Sequence, residues 1–202
     1  MAPVHLDESG IRFGFAPKSA MVLLQHAKLI FWDFDGVIKD SVEVKTWAFM
    51  QLFQHYGAEV VERVRTHHEA HGGMSRFDKI PRYLEWAEAV ATPESVEDYC
   101  QQFAELARQG VIDSPWVPGA EAFLRSNPHG QIFVLVTATP QDESEEILAA
   151  LNLRACFAAV YGAPMSKRDA IRETLATRQF DPQCCLMIGD AKADWDAAQA
   201  NQ

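Results

Sequence analysis

The feature that most constrains the fold of this chain is a set of short, wholly apolar runs that each end in polar residues or glycine. The first, KLIFWDFDG (28–36), breaks at Gly36 after delivering Asp33 and Asp35. QIFVLVTAT (131–139) and CCLMIGD (184–190) follow the same plan, and a weaker run, CFAAVYG (156–162), lies between them. Such runs read as strands buried on both faces, as in a parallel sheet. Helical patterns over 141–151, with acidic residues in the first turn, and over 167–178 separate the later runs. Strands alternating with helices predict βαβ units and a doubly wound, parallel α/β sheet.

Residues 42–116 contain no convincing strand. Helices are predicted over 42–56, with Trp47, Met50 and Phe53 at helical spacing and Gly57 as the stop, and over 59–71, 77–89 and 94–108. The last begins at Thr92-Pro93, a cap followed by a proline start. Trp32, Phe34, Trp47, Trp86 and Phe103 are expected to pack inside, and Pro115, Pro118 and Gly119 punctuate the return to the sheet. The expected organisation is an N-terminal extension over 1–27, an α/β core over 28–41 and 117–202, and a helical insertion over 42–116.

Composition narrows the partners. With 202 residues, 48% of them hydrophobic, the chain can bury a sizeable core. It carries 18 Lys+Arg against 28 Asp+Glu, a formal charge of −10, and no basic cluster longer than Lys167-Arg168, so no nucleic-acid partner is expected. No apolar run approaches the roughly 20 residues that span a bilayer, and the first residues lack the basic start and apolar stretch of a secretory signal. No membrane association is expected. Cys100, Cys156, Cys184 and Cys185 have no CxxC spacing and read as buried free thiols of a reducing, cytoplasmic protein.

Four features fall at strand carboxyl ends or in the loop after one, where open α/β sheets hold ligands. They are Asp33-Phe34-Asp35-Gly36, Thr137, Lys167, and Gly189-Asp190 with Asp194 four residues on. Singly, each has a bland explanation as a turn former or a solvated charge; their order and context together make chance improbable. Asp33, Asp35, Asp190 and Asp194 would bring up to four carboxylates to one crevice, where they cannot all stay ionised without a cation. Oxygen donors without His or Cys favour a hard ion, and Mg²⁺ shared with a substrate phosphate is the usual arrangement.

These residues resemble the haloacid-dehalogenase-like superfamily of phosphotransferases, in its branch of helical-cap phosphatases and β-phosphoglucomutase-like proteins. WDFDGVIKDS (32–41), VTATP (136–140), Lys167 in MSKRDAI and IGDAKADWDAA (188–198) carry the resemblance, with VPGAEAFL (117–124) similar to the segment that re-enters the core after a cap. It implies a Rossmann-like core with an inserted α-helical cap, and Mg²⁺-dependent hydrolysis of a small phosphomonoester, such as a sugar phosphate or phosphoglycolate, through an aspartyl phosphate. Asp33 would be the nucleophile and Asp35 the general acid and base. Thr137, Ala138 and Lys167 would bind the phosphoryl oxygens. Asp33, the Asp35 main-chain carbonyl and Asp190 would hold the metal, and Asp194 would support the metal site or Lys167. A second Asp at position 35 argues for phosphate over halide, because carbon–halogen cleavage needs no general acid. A phosphomutase and a non-catalytic phospho-ligand binding module remain alternatives.

The run RTHHEAHGGMSRFDK (65–79) holds His67 and His71 four apart, but Glu69 is one residue too close to His71 for the HExxH of zinc proteases, so zinc is not expected. The resemblance implies instead that the loop Gly72–Arg76 faces the active site and selects the substrate. Arg76, with Ser75, His68 or Lys79, would contact a second polar or anionic part of it; a plain helix connection with solvated charges is the alternative. Asp40-Ser41 reads as a hinge turn and helix start, and Glu143, Glu145 and Glu146 as a solvated helix face. Family members usually continue past GDxxxD into a further strand, so the edge beside 184–188 is expected to be open, or covered by a partner chain or by Ile11-Arg12-Phe13-Gly14-Phe15, which alternates like a strand. Oligomeric state is not legible.

Overall fold

The computed structural model describes residues 3–5, 12–13 and 17–202. Two short strands, β1 (Pro3–His5) and β2 (Arg12–Phe13), and helix α1 (Pro17–His26) lead into β3 (Leu29–Trp32). Four helices follow: α2 (Val42–Phe53), α3 (Ala58–Ala70), α4 (Arg76–Trp86) and α5 (Pro93–Asp113). The chain then alternates through α6 (Ala120–Ser126), β4 (Ile132–Pro140), α7 (Gln141–Ala150), β5 (Ala159–Ala163), α8 (Lys167–Arg178), β6 (Cys185–Ile188) and α9 (Lys192–Asn201).

The apolar runs form adjacent parallel strands in the order β6-β3-β4-β5. Their side chains alternate between two buried faces, which explains why the runs carry no polar residues. Leu29, Phe31, Val134, Val136, Cys185 and Met187 pack with Ala170 and Ile171 of α8 and Ala197 and Ala198 of α9. Ile30, Trp32, Phe133, Leu135 and Leu186 pack on the opposite face with Leu124 of α6 and Ile147 and Leu148 of α7. Each large apolar side chain so buried contributes about 1.5–3 kcal/mol.

This topology places the site. From β3 the chain crosses to β4 on one side, whereas β6 lies on the other, and ligands of such sheets bind at the carboxyl ends where the order reverses. Trp32 is level with Leu135 and Ile188, and Asp33 N–H donates to Ile188 O at 2.9 Å, so the segments after β3, β4 and β6 emerge together. In β4, Val136 pairs with Tyr161 and Pro140 with Ala163, so four steps on one strand match two on the other. The resulting bulge pushes Thr137, Ala138 and Thr139 towards the crevice.

The edge beside β6 is covered, but not by the segment expected. Pro3 and Val4 of β1 pair in parallel with Met187 and Ile188, and Arg12-Phe13 forms the next strand out, antiparallel to β1. The flanking Ile11, Gly14 and Phe15 lie outside the described residues.

Helices α2–α5 enclose a core of their own: Ala48, Phe49, Leu52 and Phe53, Val64, Ile80, Tyr83 and Leu84, and Cys100, Phe103 and Ala107. Trp47 corrects the expectation of an inward aromatic, since it is 49% exposed. The two passages between this bundle and the sheet run side by side, with Lys39 bridging Trp116, Asp40 N–H donating to Pro115 O and Val117 N–H to Ile38 O. Lys39 is buried there, donating to Ile112 O at 2.9 Å over the Trp116 ring. Cys100 and Cys185 are buried free thiols; Cys156 and Cys184 are only half-buried. Among the described residues, no helix is long and apolar enough to cross a membrane.

Candidate active site

Asp33 leaves the end of β3 buried, at 4% exposure, at the floor of a cavity of about 250 Å³ between the sheet and the helical bundle. Its Oδ1 accepts from the Phe34 N–H at 2.7 Å and its Oδ2 lies 2.6 Å from Lys167 Nζ. The same ammonium, from the first turn of α8, donates to Asp194 Oδ1 at 2.6 Å, and Asp194 Oδ2 accepts from the Ala191 N–H at 3.1 Å. Both oxygens of Asp194 are thereby engaged in holding Lys167 and closing the first turn of α9. Burial alone would lower the Lys167 pKa, but Asp33 and Asp194 reverse this and hold it above the ordinary lysine value.

Oxygens of Asp33, Asp190 and Asp194 lie within 4.8 Å of one another. Asp190 stands at the cavity mouth with its carboxylate turned in against Gly36, where a Cβ would collide with its Oδ2. With a φ of +72°, Gly36 meets both demands, a left-handed turn and space for that carboxylate. Burial first, and then Asp194, pushes the Asp190 pKa up to about 6. Asp33 is pushed well above the usual carboxylate range by burial and by Asp194, Asp190 and Asp35, against the opposing pull of Lys167. A surplus of carboxylate oxygens around one point, with no sulfur or imidazole, fits a hard divalent cation. Asp33, Asp190 and Asp194 bring together the oxygens that could hold one.

Asp35 points to the bundle side. Its carboxylate accepts from Ser41 Oγ at 2.6 Å and from Lys45 Nζ at 2.5 Å, and Lys45 also donates to Thr139 Oγ1 at 2.8 Å. Burial would raise the Asp35 pKa, but the charge and hydrogen bond of Lys45, with Ser41, hold it below the ordinary value. No motif in the sequence marks Lys45 or gives Thr139 a role. The signal was present for Lys45, which follows Ser41 by one helical turn and so shares its face.

Thr137 is buried, and its Oγ1 accepts from the Thr139 N–H at 3.2 Å. Ala138 and Thr139 line the cavity of Asp33, while Thr137 and Lys167 line an adjoining groove that Ala138 shares. The structure therefore brings Asp33, Asp35, Ala138 and Asp190 to one cavity, with Lys167 and Asp194 bonded in series to Asp33 and Thr137 in the adjoining groove.

The loop after α3 does face this site: Gly72, Gly73, Met74 and Arg76 line the cavity, and Gly73 packs against Ala191 and Ala193. Arg76 is not a solvated or free recognition group. It is 5% exposed, its Nη2 lies 2.9 Å from both oxygens of Glu143 on α7, and its guanidinium stacks 4.5 Å over Phe103. Glu143 is correspondingly buried, correcting the solvated helix face, of which only Glu146 is fully exposed. Ser75 caps α4, accepting from the Phe77 N–H at 3.3 Å, and lines the adjoining groove instead of the main cavity. His68 lines the main cavity with its Nδ1 2.9 Å from Lys79 Nζ. His67 and His71 stack at 4.0 Å with His67 held by Tyr83 and Arg82, a packing role.

Comparison with known proteins agrees with this fold. The sequence model of the haloacid dehalogenase-like hydrolase family matches residues 30–202. Among solved structures, the chain is similar to a predicted phosphoglycolate phosphatase from Haemophilus somnus, with a TM-score of 0.66 and 18% identity over 87% of this chain and 82% of that one. It is similar to CbbY from Rhodobacter sphaeroides, solved with xylulose-1,5-bisphosphate, with a TM-score of 0.67 and 18% identity over 87% and 83% of the two chains. It is also similar to β-phosphoglucomutase from Clostridium difficile, with a TM-score of 0.68 and 21% identity over 87% and 82%. A curated relative, the tyrosine-protein kinase PtkA of Mycobacterium tuberculosis, is 24% identical over 181 residues, which are 86% of this chain but 59% of the relative. The match over residues 30–202, with the Rossmann-like sheet and its helical cap, means that the chain belongs to the haloacid dehalogenase-like hydrolase family.

Proposed function

We propose that the protein is a Mg²⁺-dependent phosphatase that hydrolyses a small phosphomonoester through a phosphorylated Asp33. The observation that carries this reading is the arrangement at Asp33: a buried carboxylate at the cavity floor, with an ammonium 2.6 Å from one oxygen and two further carboxylates within 4.8 Å. A cavity of about 250 Å³ is smaller than the roughly 300–1,000 Å³ of sites for drug-sized ligands, and suits a small metabolite.

Asp33 attacks phosphorus and the ester P–O bond breaks, its electron pair leaving with the alkoxide. Asp35 supplies the proton that alkoxide takes up. Water then attacks the phosphorus of the aspartyl phosphate, Asp35 accepts its proton, and inorganic phosphate leaves with the Asp33 carboxylate restored. Lys167, held by Asp194, and the bulge at 137–139 supply donors for the equatorial oxygens, where charge is spread in the transition state. The divalent cation, when bound, offsets repulsion between Asp33 and the phosphoryl group. Because Lys45 depresses the Asp35 pKa, Asp35 must exchange this partner for the leaving oxygen in order to act as an acid.

The neighbouring phosphomutase favours a second reading, in which the phosphoryl group passes to a substrate hydroxyl. Supplying a panel of sugar phosphates and measuring free phosphate against isomerised ester separates the two. Replacing Asp33→Asn should abolish phosphate release from p-nitrophenyl phosphate; near-normal turnover would overturn the mechanism.

A further inference from the structure

The bulge in β4 interrupts the sheet where the site most needs a fixed backbone. Between the Val136–Tyr161 and Pro140–Ala163 pairs, Thr137, Ala138 and Thr139 have no partner on β5, yet this is the stretch that turns towards the crevice. Gln141, the first residue of α7, fills the gap with its side chain. Its Oε1 accepts from the Gly162 N–H at 2.7 Å, and its Nε2 donates to Val160 O at 3.1 Å. A main-chain residue in a parallel ladder bonds its neighbour in the same way, using the C=O and N–H of residues two apart. The carboxamide therefore stands in for the missing rung opposite Tyr161.

The carboxamide is itself fixed in orientation. Its Nε2 also lies 3.3 Å from Glu145 Oε1, the other oxygen of Glu145 accepts from Arg154 Nε, and Arg154 Nη1 donates to Phe157 O at 2.9 Å, just before β5. A flipped amide would set oxygen against two acceptors and nitrogen against the Gly162 N–H, so one orientation alone satisfies all three contacts. On the other side of the bulge, the buried Ser144 hydroxyl donates to Pro140 O at 2.9 Å, with Thr139 O at 3.3 Å. Gly162 lets the two strands close, since a Cβ there would lie 2.6 Å from Thr139 O and 2.7 Å from Gln141 N. Gln141, Ser144 and Gly162 line neither the cavity nor the adjoining groove, so their contacts act on the backbone of the bulge and not on a ligand.

Resting on the phosphatase reading above, we infer that Gln141 is a positioning residue for phosphoryl transfer: its carboxamide replaces a rung of the sheet and holds Thr137, Ala138 and Thr139 in the shape that receives the equatorial oxygens. It acts through the backbone and touches no reacting atom. A misplacement of about 1 Å at groups that position a reacting centre can cost about 10²-fold in rate. Donors fixed in advance act on the charge of the transition state more than on the bound ester. Loss of the Gln141 contacts therefore falls on kcat and leaves KM nearly unchanged.

The test uses the full chain with Mg²⁺ and two variants at this half-buried position, each assayed below its own Tm. Gln141→Met keeps the length of the side chain without its hydrogen bonds; Gln141→Glu keeps the acceptor for Gly162 and loses the donor to Val160 O. Each should lower kcat by roughly 10–100-fold, by the same factor on p-nitrophenyl phosphate and on ethyl phosphate, with KM within about threefold of wild type. The inhibition constant of orthovanadate, which takes the five-coordinate shape of the transition state, should rise by about the same factor as kcat falls. A purely structural defect would reduce the amount of active enzyme and leave the vanadate constant where it was. A kcat within about threefold of wild type in either variant overturns the role of Gln141. So does a loss of kcat without weaker vanadate binding, or a loss on ethyl phosphate alone. In each of those cases Asp33-dependent release by the wild type leaves the phosphatase reading intact. Absence of release from both esters by the wild type overturns that reading and the role of Gln141 with it.

Discussion

Lys79→Met should make the protein more stable at neutral pH and less so in alkali. The Lys79 pKa is lowered from 10.5 to about 7, by burial first and then by Lys45. The native state therefore binds this proton less tightly than the unfolded chain, and protonation favours unfolding. The cost is full below pH 7 and fades as pH approaches 10.5. The gap between those values corresponds to a ceiling of about 5 kcal/mol below pH 7, or about 4 at pH 7 itself. Methionine also removes the contact with His68 Nδ1, and a buried polar atom left without a partner costs about 1–3 kcal/mol. The net gain at pH 7 is about 2 kcal/mol, equivalent to a rise in Tm of about 4–8 °C for a chain of this length. Near pH 10 the lysine is neutral in the native state but still largely charged in the unfolded chain, so the cost has fallen to about 1 kcal/mol, and with the lost contact to His68 the variant should become the less stable of the two. Thermal unfolding of both proteins from pH 6.5 to 10 reads the crossing directly. A Tm difference that is constant with pH, or a variant destabilised at pH 7, would refute the reasoning that Lys79 is a buried cation without a counter-charge.

Glu143→Gln leaves the Arg76 guanidinium buried without its carboxylate, which should cost about 3–5 kcal/mol in urea unfolding; the Arg76→Met/Glu143→Gln pair should recover most of it. Asp35→Asn should slow ethyl phosphate by roughly 10²–10⁴, but p-nitrophenyl phosphate far less, because nitrophenolate leaves without a proton. Equal losses on both esters would remove Asp35 from the acid role. The Asp190 pKa of about 6 means that a proton competes with Mg²⁺ below that pH. Calorimetry should show an affinity falling by up to about tenfold per pH unit as Asp190 titrates, and a flat profile from pH 7 to 5 would argue against Asp190 as a ligand.

The strands β3, β4 and β6 were legible in the sequence because burial on both faces of a parallel sheet excludes polar residues, a pattern that needs no tertiary information. The carboxylates and Lys167 were legible for a related reason, since their places at strand ends follow from the same runs. Strands β1 and β2, of three and two residues, are too short to carry a periodic signal, and they exist through pairing with β6 and with each other. Helix α5 runs past Gly110, where a Cβ would meet Val44 Cγ1 at 2.7 Å; this glycine serves close packing on α2 and does not end the helix. The partner of Arg76 lies 67 residues away in sequence, on a different element, so nothing local distinguishes a neutralised Arg76 from a free recognition group. Sequence gives Lys79 the same expected recognition role, and only the three-dimensional structure shows that, unlike Arg76, it forms no ion pair with a carboxylate among the described residues.

The central claim, phosphoryl transfer to Asp33, is tested most directly by trapping. Borohydride added to the Mg²⁺-loaded enzyme during turnover reduces an acyl phosphate to an alcohol and converts the modified aspartate to homoserine, which peptide mass spectrometry locates. The account predicts homoserine at position 33, dependent on substrate and absent from the Asp33→Asn variant. Sustained phosphate release with Asp33 unmodified, or homoserine at another aspartate, would contradict it.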